Sequence, residues 1–276
     1  MARRWALVGM AAVVLSLGSA QGCRKHETVS SGPEPPSPLQ AKRVSTEPEV
    51  AASIGARTVS TELALLAKVR PSSDPDAEWA GLCRTPGPVS VAVGQELSLQ
   101  PTDPGSFGDP ELERLAADFA GTHVAELDLD GTSVTDAGLA HLAKLRHLTD
   151  LELDGTSVTD AGLPDVADLT NLTMLGLPGT RVTDAGLTDL ARLTNLTELD
   201  LCDTGVTDAG LPHLAGLTNL TKLGLGGTRV TDAGLPYLAG LTNLGVLDLH
   251  NTGVTDAGRA ALQGKLSGCS IYWLLE

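Results

Sequence analysis

Leucine recurs along the second half of the chain with a fixed period of 24 residues. The leading leucine of the pattern returns at Leu127, Leu151, Leu175, Leu199, Leu223 and Leu247. One full copy reads LELDGTSVTDAGL over residues 151–163. Self-similarity at such a spacing indicates supersecondary units that stack on one another, because one unit cannot bury its own apolar side chains.

Each copy contains two different apolar periods. Leu151 and Leu153 alternate with polar residues, which predicts a short β-strand with one buried side. Leu163, Val166 and Leu169 follow at intervals of three, which predicts a short α- or 3₁₀-helix with one apolar stripe. Stacked copies, roughly 4.8 Å apart, would then form a parallel sheet covered by short helices.

Polar residues mark both ends of the predicted helix. Thr159 or Asp160 can cap its free N–H groups, and Asp160 also lies near the positive end of the helix dipole. Asn171 suits a left-handed turn after the helix. The aspartate column can also be interpreted as a calcium ladder, although helix N-termini would offset its self-repulsion and favour a structural role. The column is Asp136, Asp160, Asp184, Asp208, Asp232 and Asp256.

These residues resemble the leucine-rich repeat family, whose pattern is LxxLxLxxNxL. Threonine takes the asparagine position, and the phrase is similar to bacterial, planctomycete-type relatives of the cysteine-containing repeats. The resemblance covers roughly residues 95–276. It implies an α/β solenoid with parallel strands on a concave face and short helices or 3₁₀ segments on a convex face. It also implies a non-enzymatic protein-binding module that needs no cofactor. The threonines are Thr132, Thr156, Thr180, Thr204, Thr228 and Thr252.

The two ends of a solenoid need caps. Residues 88–123 are predicted to form a divergent N-terminal capping repeat, with a strand over 91–99 and a helix whose N-cap is Asp109. Repeats of 24 residues fill 124–258, and 259–276 form a C-terminal cap. Ile271 falls on the leucine column, so 270–274 is predicted as the last strand, with Tyr272 and Trp273 closing the core.

The N-terminus has the features of a secretory signal. Arg3 and Arg4 precede an apolar stretch over 6–20, about 22 Å long as a helix and shorter than a hydrocarbon core of about 30 Å. We predict a signal peptide over 1–22. Cleavage after Ala20 fits a small-residue site, whereas AQGC at 20–23 resembles a bacterial lipobox and would leave Cys23 lipidated. The second interpretation is favoured, and it predicts a protein secreted or lipid-anchored at a bacterial cell envelope.

Between Cys23 and residue 87 the composition changes to proline, serine and glutamate. Such a segment cannot bury enough apolar surface to order itself, so we predict a disordered tether over 23–87. Residues 62–68 carry a helical pattern inside it.

Charge and side-chain chemistry exclude several function classes. The formal net charge of −15 argues against nucleic acid, because phosphate contacts need Lys and Arg. The four cysteines are too scattered for a disulfide framework. Cys202 and His250 share a column, but two repeats separate them by roughly 9–10 Å, too far for joint zinc ligation. The NLT triplets at 171, 195 and 219 match glycosylation acceptors but are better explained as repeat turns.

Carboxylates flank the buried leucines on the predicted concave face. Six of them, here called the acidic patch, come from the first two full repeats: Glu126, Asp128, Asp130, Asp150, Glu152 and Asp154. Further members of the candidate partner-binding site are Glu198, Asp200 and Asp248. Packing does not require charge at these positions, so they either solubilise the face or recognise a basic protein segment or a divalent cation. We predict a monomeric, tethered interaction module. The alternatives are a structural or adhesive surface protein and a ubiquitin-ligase substrate adaptor, since similar repeats occur beside F-box helices.

Overall fold

The computed structural model describes residues 57–61, 63–71, 80–84, 87–91 and 95–273. The predicted signal peptide and Cys23 lie outside these residues. Within the described part of the chain, no helix combines the length and the apolar character needed to cross a membrane.

Parallel strands recur once per repeat and form the main sheet. The leading leucines pair in register from Leu127 onward, and the row ends at Ile271, as predicted. The strands are β5 Gln95–Pro101, β6 Val124–Asp128, β7 Asp150–Glu152, β8 Met174–Gly176, β9 Glu198–Asp200, β10 Lys222–Gly224, β11 Val246–Asp248 and β12 Ser270–Tyr272.

Three strands lie in the segment that was predicted to be a disordered tether, and a fourth begins at its last residue, Gly87. They are β1 Arg57–Thr61, β2 Leu65–Pro71, β3 Ala80–Arg84 and β4 Gly87–Val91. β2 joins the main sheet beside β5 as an antiparallel strand, β3 follows it, and β1 pairs with β4. The prediction of disorder is therefore wrong for the strands at 57–61, 65–71 and 80–84, and the predicted helical pattern at 62–68 is wrong from Leu65, where β2 begins. The reason is the alternation of Leu65, Ala67 and Val69, which are all buried.

Short helices return the chain from one strand to the next. They are α1 Asp109–Asp118, α2 Asp136–Leu139, α3 Leu163–Ala167, α4 Asp184–Leu190, α5 Leu211–Leu214, α6 Leu235–Leu238 and α7 Asp256–Gln263, with 3₁₀ turns at Pro104–Ser106, Ala140–Lys144 and Asp160–Gly162. The predicted α/β repeat solenoid is confirmed. The N-cap of α1 is Gly108, so the prediction of Asp109 as the cap is wrong by one residue.

A continuous leucine core lies between the sheet and the helices. Leu199 and Leu201 of one repeat are 1% and 0% exposed. The threonine at the asparagine position of the repeat pattern is buried beside them in five of the six repeats and partly buried at Thr252. In each repeat its hydroxyl donates to the carbonyl three residues earlier, as Thr156 does to Leu153 at 2.8 Å. The Leu153 carbonyl also accepts from the backbone N–H of Thr156 at 3.2 Å, so the hydroxyl adds a second hydrogen bond at the end of the strand.

The aspartate column links neighbouring repeats. Asp184 accepts two hydrogen bonds from Thr207, one from its backbone N–H at 2.7 Å and one from its hydroxyl at 2.6 Å. The Thr207 hydroxyl in turn accepts from the N–H of Ala209 at 3.2 Å. The equivalent threonine of the preceding repeat, Thr183, is the N-cap of α4. The aspartate bonds to the next repeat rather than to its own helix. Because both carboxylate oxygens are bonded, the column has a structural role. The other pairs are Asp109–Thr135, Asp136–Thr159, Asp160–Thr183, Asp208–Thr231 and Asp232–Thr255.

Glycine in the TDAG phrase permits this close stacking. A Cβ atom on Gly210 would lie 2.5 Å from Oδ1 of Asp184 and 2.8 Å from Cδ1 of Leu187. The same aspartate–glycine contact recurs along the stack, so the glycine serves packing rather than an unusual backbone angle.

Asparagine forms a second link between repeats. The side-chain amide of Asn171 donates to the carbonyl of Arg146 at 2.9 Å, and Asn195, Asn219 and Asn243 make the equivalent bond. The predicted left-handed turn at Asn171 is wrong. Left-handed residues instead follow the strands, at Gly131, Gly155, Gly179 and Gly227, and at Asp203 and Asn251, with φ of 56° and 51°.

The C-terminal cap differs from its prediction at one aromatic residue. β12 ends at Tyr272, whose side chain is 40% exposed and does not close the core. Trp273 packs against the core, and the Arg259 guanidinium lies 5.2 Å from the centre of its ring. The cap is therefore completed by a cation–π contact.

Candidate functional site

The acidic patch lies on the strand face, the side of the sheet opposite the helices. Glu126 pairs with Asp150, and Asp128 with Glu152, on the adjacent strands β6 and β7. Leu127 and Leu151 between them point into the core, so the acidic side chains point the other way. All six carboxylates of the patch are partly buried rather than fully exposed.

Hydrogen bonds hold several of these carboxylates in place. Asp128 accepts from the amide of Gln100 at 2.7 Å and from the N–H of Asp130 at 3.1 Å. Asp130 accepts from the N–H of Asp154 at 2.8 Å, and Asp150 accepts from its neighbouring threonine hydroxyl. The patch is thus a pre-organised surface.

Burial and mutual repulsion disfavour the charged forms of the patch. Glu152 extends over Gly176, and its Oε2 atom is buried without a hydrogen-bond partner in the described part of the chain. Burial, and then the charge of Asp130, raises the pKa of Glu152 to about 8. Burial, and then the charge of Asp128, raises the pKa of Asp130 to about 6. Burial also raises the pKa values of Glu126 and Asp150.

Two basic residues border the patch on one side, which sequence reasoning missed. Lys68 and Arg70 lie on β2, inside the segment predicted to be disordered, and Lys68 shares a row with Ser98 and Glu126. Their charges lower the pKa values of Glu126 and Asp150, respectively, against the larger effect of burial. The alternating apolar residues of β2 were the available signal, although they do not identify the strand's partner.

The other three predicted site residues lie outside the acidic patch. Glu198 forms an ion pair with Lys222 at 2.6 Å. Asp200 is only 7% exposed and accepts from the N–H of Cys202 at 2.9 Å. Asp248 contacts the His250 imidazole at 2.6 Å. Gly176 separates Asp200 from Glu152 in the register, so this side of the face is less acidic.

Cys202 and His250 do not form a nucleophilic pair. The His250 ring lies over Gly226 and contacts Asp248. Burial, followed by the charge of Asp200, raises the pKa of the Cys202 thiol far above its usual range and keeps it protonated. Across the described residues, no group of three or more His, Cys, Asp or Glu side chains has the arrangement of a metal site.

We expect Glu152 to make stability depend on pH. Its carboxyl ionises near its ordinary value of 4.5 when unfolded but near 8 when folded. The folded state therefore binds more protons between these values, and the free energy of unfolding should fall as pH rises through that window. Glu152→Gln should flatten the fall and add about 1–3 kcal/mol at pH 9. Urea unfolding at pH 5, 7 and 9 measures this, with exposed Glu113→Gln as control; equal slopes in both variants would contradict the assignment.

Comparisons with known proteins concern the fold of the chain rather than the acidic patch. The leucine-rich repeat family model matches residues 192–215. The structure is similar to internalin C2 of Listeria monocytogenes, with 26% identity and a TM-score of 0.52, over 64% of this chain and 80% of that one. A second Listeria internalin, InlF, has 20% identity and a TM-score of 0.37, over 56% of each chain. No curated protein matches the sequence.

Proposed function

We propose that this leucine-rich repeat protein binds a basic segment of a protein partner through the acidic patch on its strand face. The observation that carries the proposal is the Oε2 atom of Glu152, which is buried and has no hydrogen-bond partner in the described part of the chain. Leucine-rich repeats commonly serve as protein-interaction modules, which agrees with a binding rather than an enzymatic role.

The electrostatics of the patch favour a cationic partner. Burial and neighbouring carboxylates raise the pKa values of Glu152 and Asp130, so their charged forms cost stability in the unbound protein. A lysine or arginine placed among them would reverse that effect by favouring ionisation. The neutral residues Gly176 and Pro178 in the following repeat show that the same strand positions accept uncharged side chains. Packing therefore does not require charge at these positions.

The test removes three charges while keeping the shapes of the side chains. The variant Asp128→Asn, Asp150→Asn, Glu152→Gln should capture at least tenfold less partner from the native envelope and melt at an equal or higher temperature. Partner association should also be faster at low salt, because screening over about 8–10 Å weakens electrostatic steering. The capture is repeated with and without calcium. Capture that does not depend on calcium indicates a protein ligand, whereas a calcium-dependent difference indicates that the patch binds the cation.

A matched control removes three charges from the helix side of the stack, by Asp165→Asn, Asp168→Asn and Asp189→Asn. This control should capture the partner as well as the unchanged protein does. If both triple variants capture equally, with or without calcium, the patch only solubilises the protein. Concentration-dependent self-association without partner capture would instead favour the structural or adhesive alternative.

The ubiquitin-ligase adaptor alternative would require helices before the repeats, whereas the described residues between 57 and 101 lie mainly in strands.

The proposed site of action is the bacterial cell envelope, with the chain attached through Cys23. The AQGC sequence at 20–23 motivates this, since it follows an apolar stretch of signal-peptide length. Mass spectrometry of membrane-extracted protein should find a diacylglyceryl group on an N-terminal Cys23. A soluble protein beginning at Gln21 would show that cleavage follows Ala20 and that no anchor is attached.

A further inference from the structure

Two imidazoles are stacked outside the acidic patch. The ring centres of His123 and His147 are 3.9 Å apart and the rings are 10° from parallel. The residues are 24 positions apart and occupy the same position in neighbouring repeats. Both side chains are exposed, so their ring nitrogens are accessible to an incoming ion.

The fold does not explain why histidine occupies these positions. The next four repeats place asparagine there, and its amide donates to a carbonyl of the preceding repeat. The two histidines thus replace a structural residue with a metal-binding one in adjacent repeats.

We propose that His123 and His147 form a two-histidine surface site for a transition-metal ion of the Zn²⁺ or Ni²⁺ class. Metal–nitrogen bonds of about 2.0–2.1 Å allow two ligating nitrogens to be at most about 4 Å apart. The ring centres are 3.9 Å apart, so the two imidazoles are close enough to meet that limit once the rings turn. The rings must rotate from parallel so that their lone pairs converge, which exposed side chains do rapidly. Water completes the coordination. Imidazole prefers these ions, whereas Mg²⁺ and Ca²⁺ prefer oxygen ligands.

Isothermal titration of the full chain with Zn²⁺ and with Ni²⁺ tests the site. His123→Asn and His147→Asn each install the residue of the following repeats, so both variants should fold, which thermal melting verifies. Either substitution should weaken the tightest binding step at least tenfold, and the double variant should lose little more than either one. His213→Asn, an unpaired histidine on α5, should change the affinity less than twofold.

Two further measurements localise the ion. The variant Asp128→Asn, Asp150→Asn, Glu152→Gln should keep its Zn²⁺ affinity, which separates this site from the proposed partner-binding function. The imidazole C–H resonances of His123 and His147 should shift together during a Zn²⁺ titration, but not with Mg²⁺. The proposal is overturned if either histidine variant loses less than twofold in affinity, if His213→Asn loses as much, or if removing the patch charges abolishes binding.

Discussion

Leu199→Ala is expected to lower the free energy of unfolding by about 2–5 kcal/mol. The side chain is 1% exposed, and its strand pairs in register with Leu175 on one side and Leu223 on the other. Removing it leaves a cavity that two neighbouring repeats share, and neither can close it without moving its own strand. Because neighbouring repeats stabilise one another in a stack, the substitution should also destabilise the repeats on either side.

Urea unfolding followed by circular dichroism measures this effect. Asp165→Ala on α3 is the control, and a surface substitution of this kind should cost under about 0.5 kcal/mol. Equal shifts of the unfolding midpoint in the two variants would mean that the interior and exterior of the repeat are assigned wrongly.

Asp184→Ala is expected to lower the free energy of unfolding by about 2–4 kcal/mol. The substitution removes two charge-assisted hydrogen bonds from Thr207 and leaves the Thr207 backbone N–H without its acceptor. Asp256→Ala is a matched control. Asp256 begins α7 in the same TDAG phrase, but the described residues contain no following repeat for it to bond. This control should lose only the interaction with the helix dipole, about 0.3–1 kcal/mol.

The comparison also separates the two interpretations of the aspartate column. Unfolding of both variants and of the unchanged protein should be insensitive to calcium. If calcium raised the melting temperature of the unchanged protein and Asp184→Ala abolished that gain, the calcium-ladder interpretation would be supported. Equal losses in Asp184→Ala and Asp256→Ala would contradict the role of the bond between repeats.

Periodicity made the repeat solenoid predictable but left its first strands undetected. Leu151 and Leu153 repeat six times, so their strand and its neighbours follow from one copy. The alternating pattern of Leu65, Ala67 and Val69 has no second copy in the chain. It also lies among prolines and serines, which indicate disorder. Their strand also pairs antiparallel with a segment about 30 residues later, and no repeat signals that pairing.

The same distinction applies to the site. The acidic patch follows from strand alternation, because Asp128 and Glu152 occupy equivalent positions. Their surroundings do not follow, because Arg70 and Lys68 arrive from outside the repeat. The partner of each aspartate in the column was also undecidable from spacing, since Asp184 could reach its own helix or Thr207. Only the distance between stacked repeats shows that Asp184 bonds to Thr207.

The aspartate–threonine bond has a consequence for how such a chain can change length. Each repeat presents a carboxylate on one side and a threonine on the other, and the glycine that lets them approach belongs to the same phrase. Every such junction is therefore held by the same pair of groups. Duplication or deletion of a whole 24-residue unit inside the stack would preserve the aspartate–threonine bond and the glycine contact at the new junction, so copy number can vary while the caps stay unchanged.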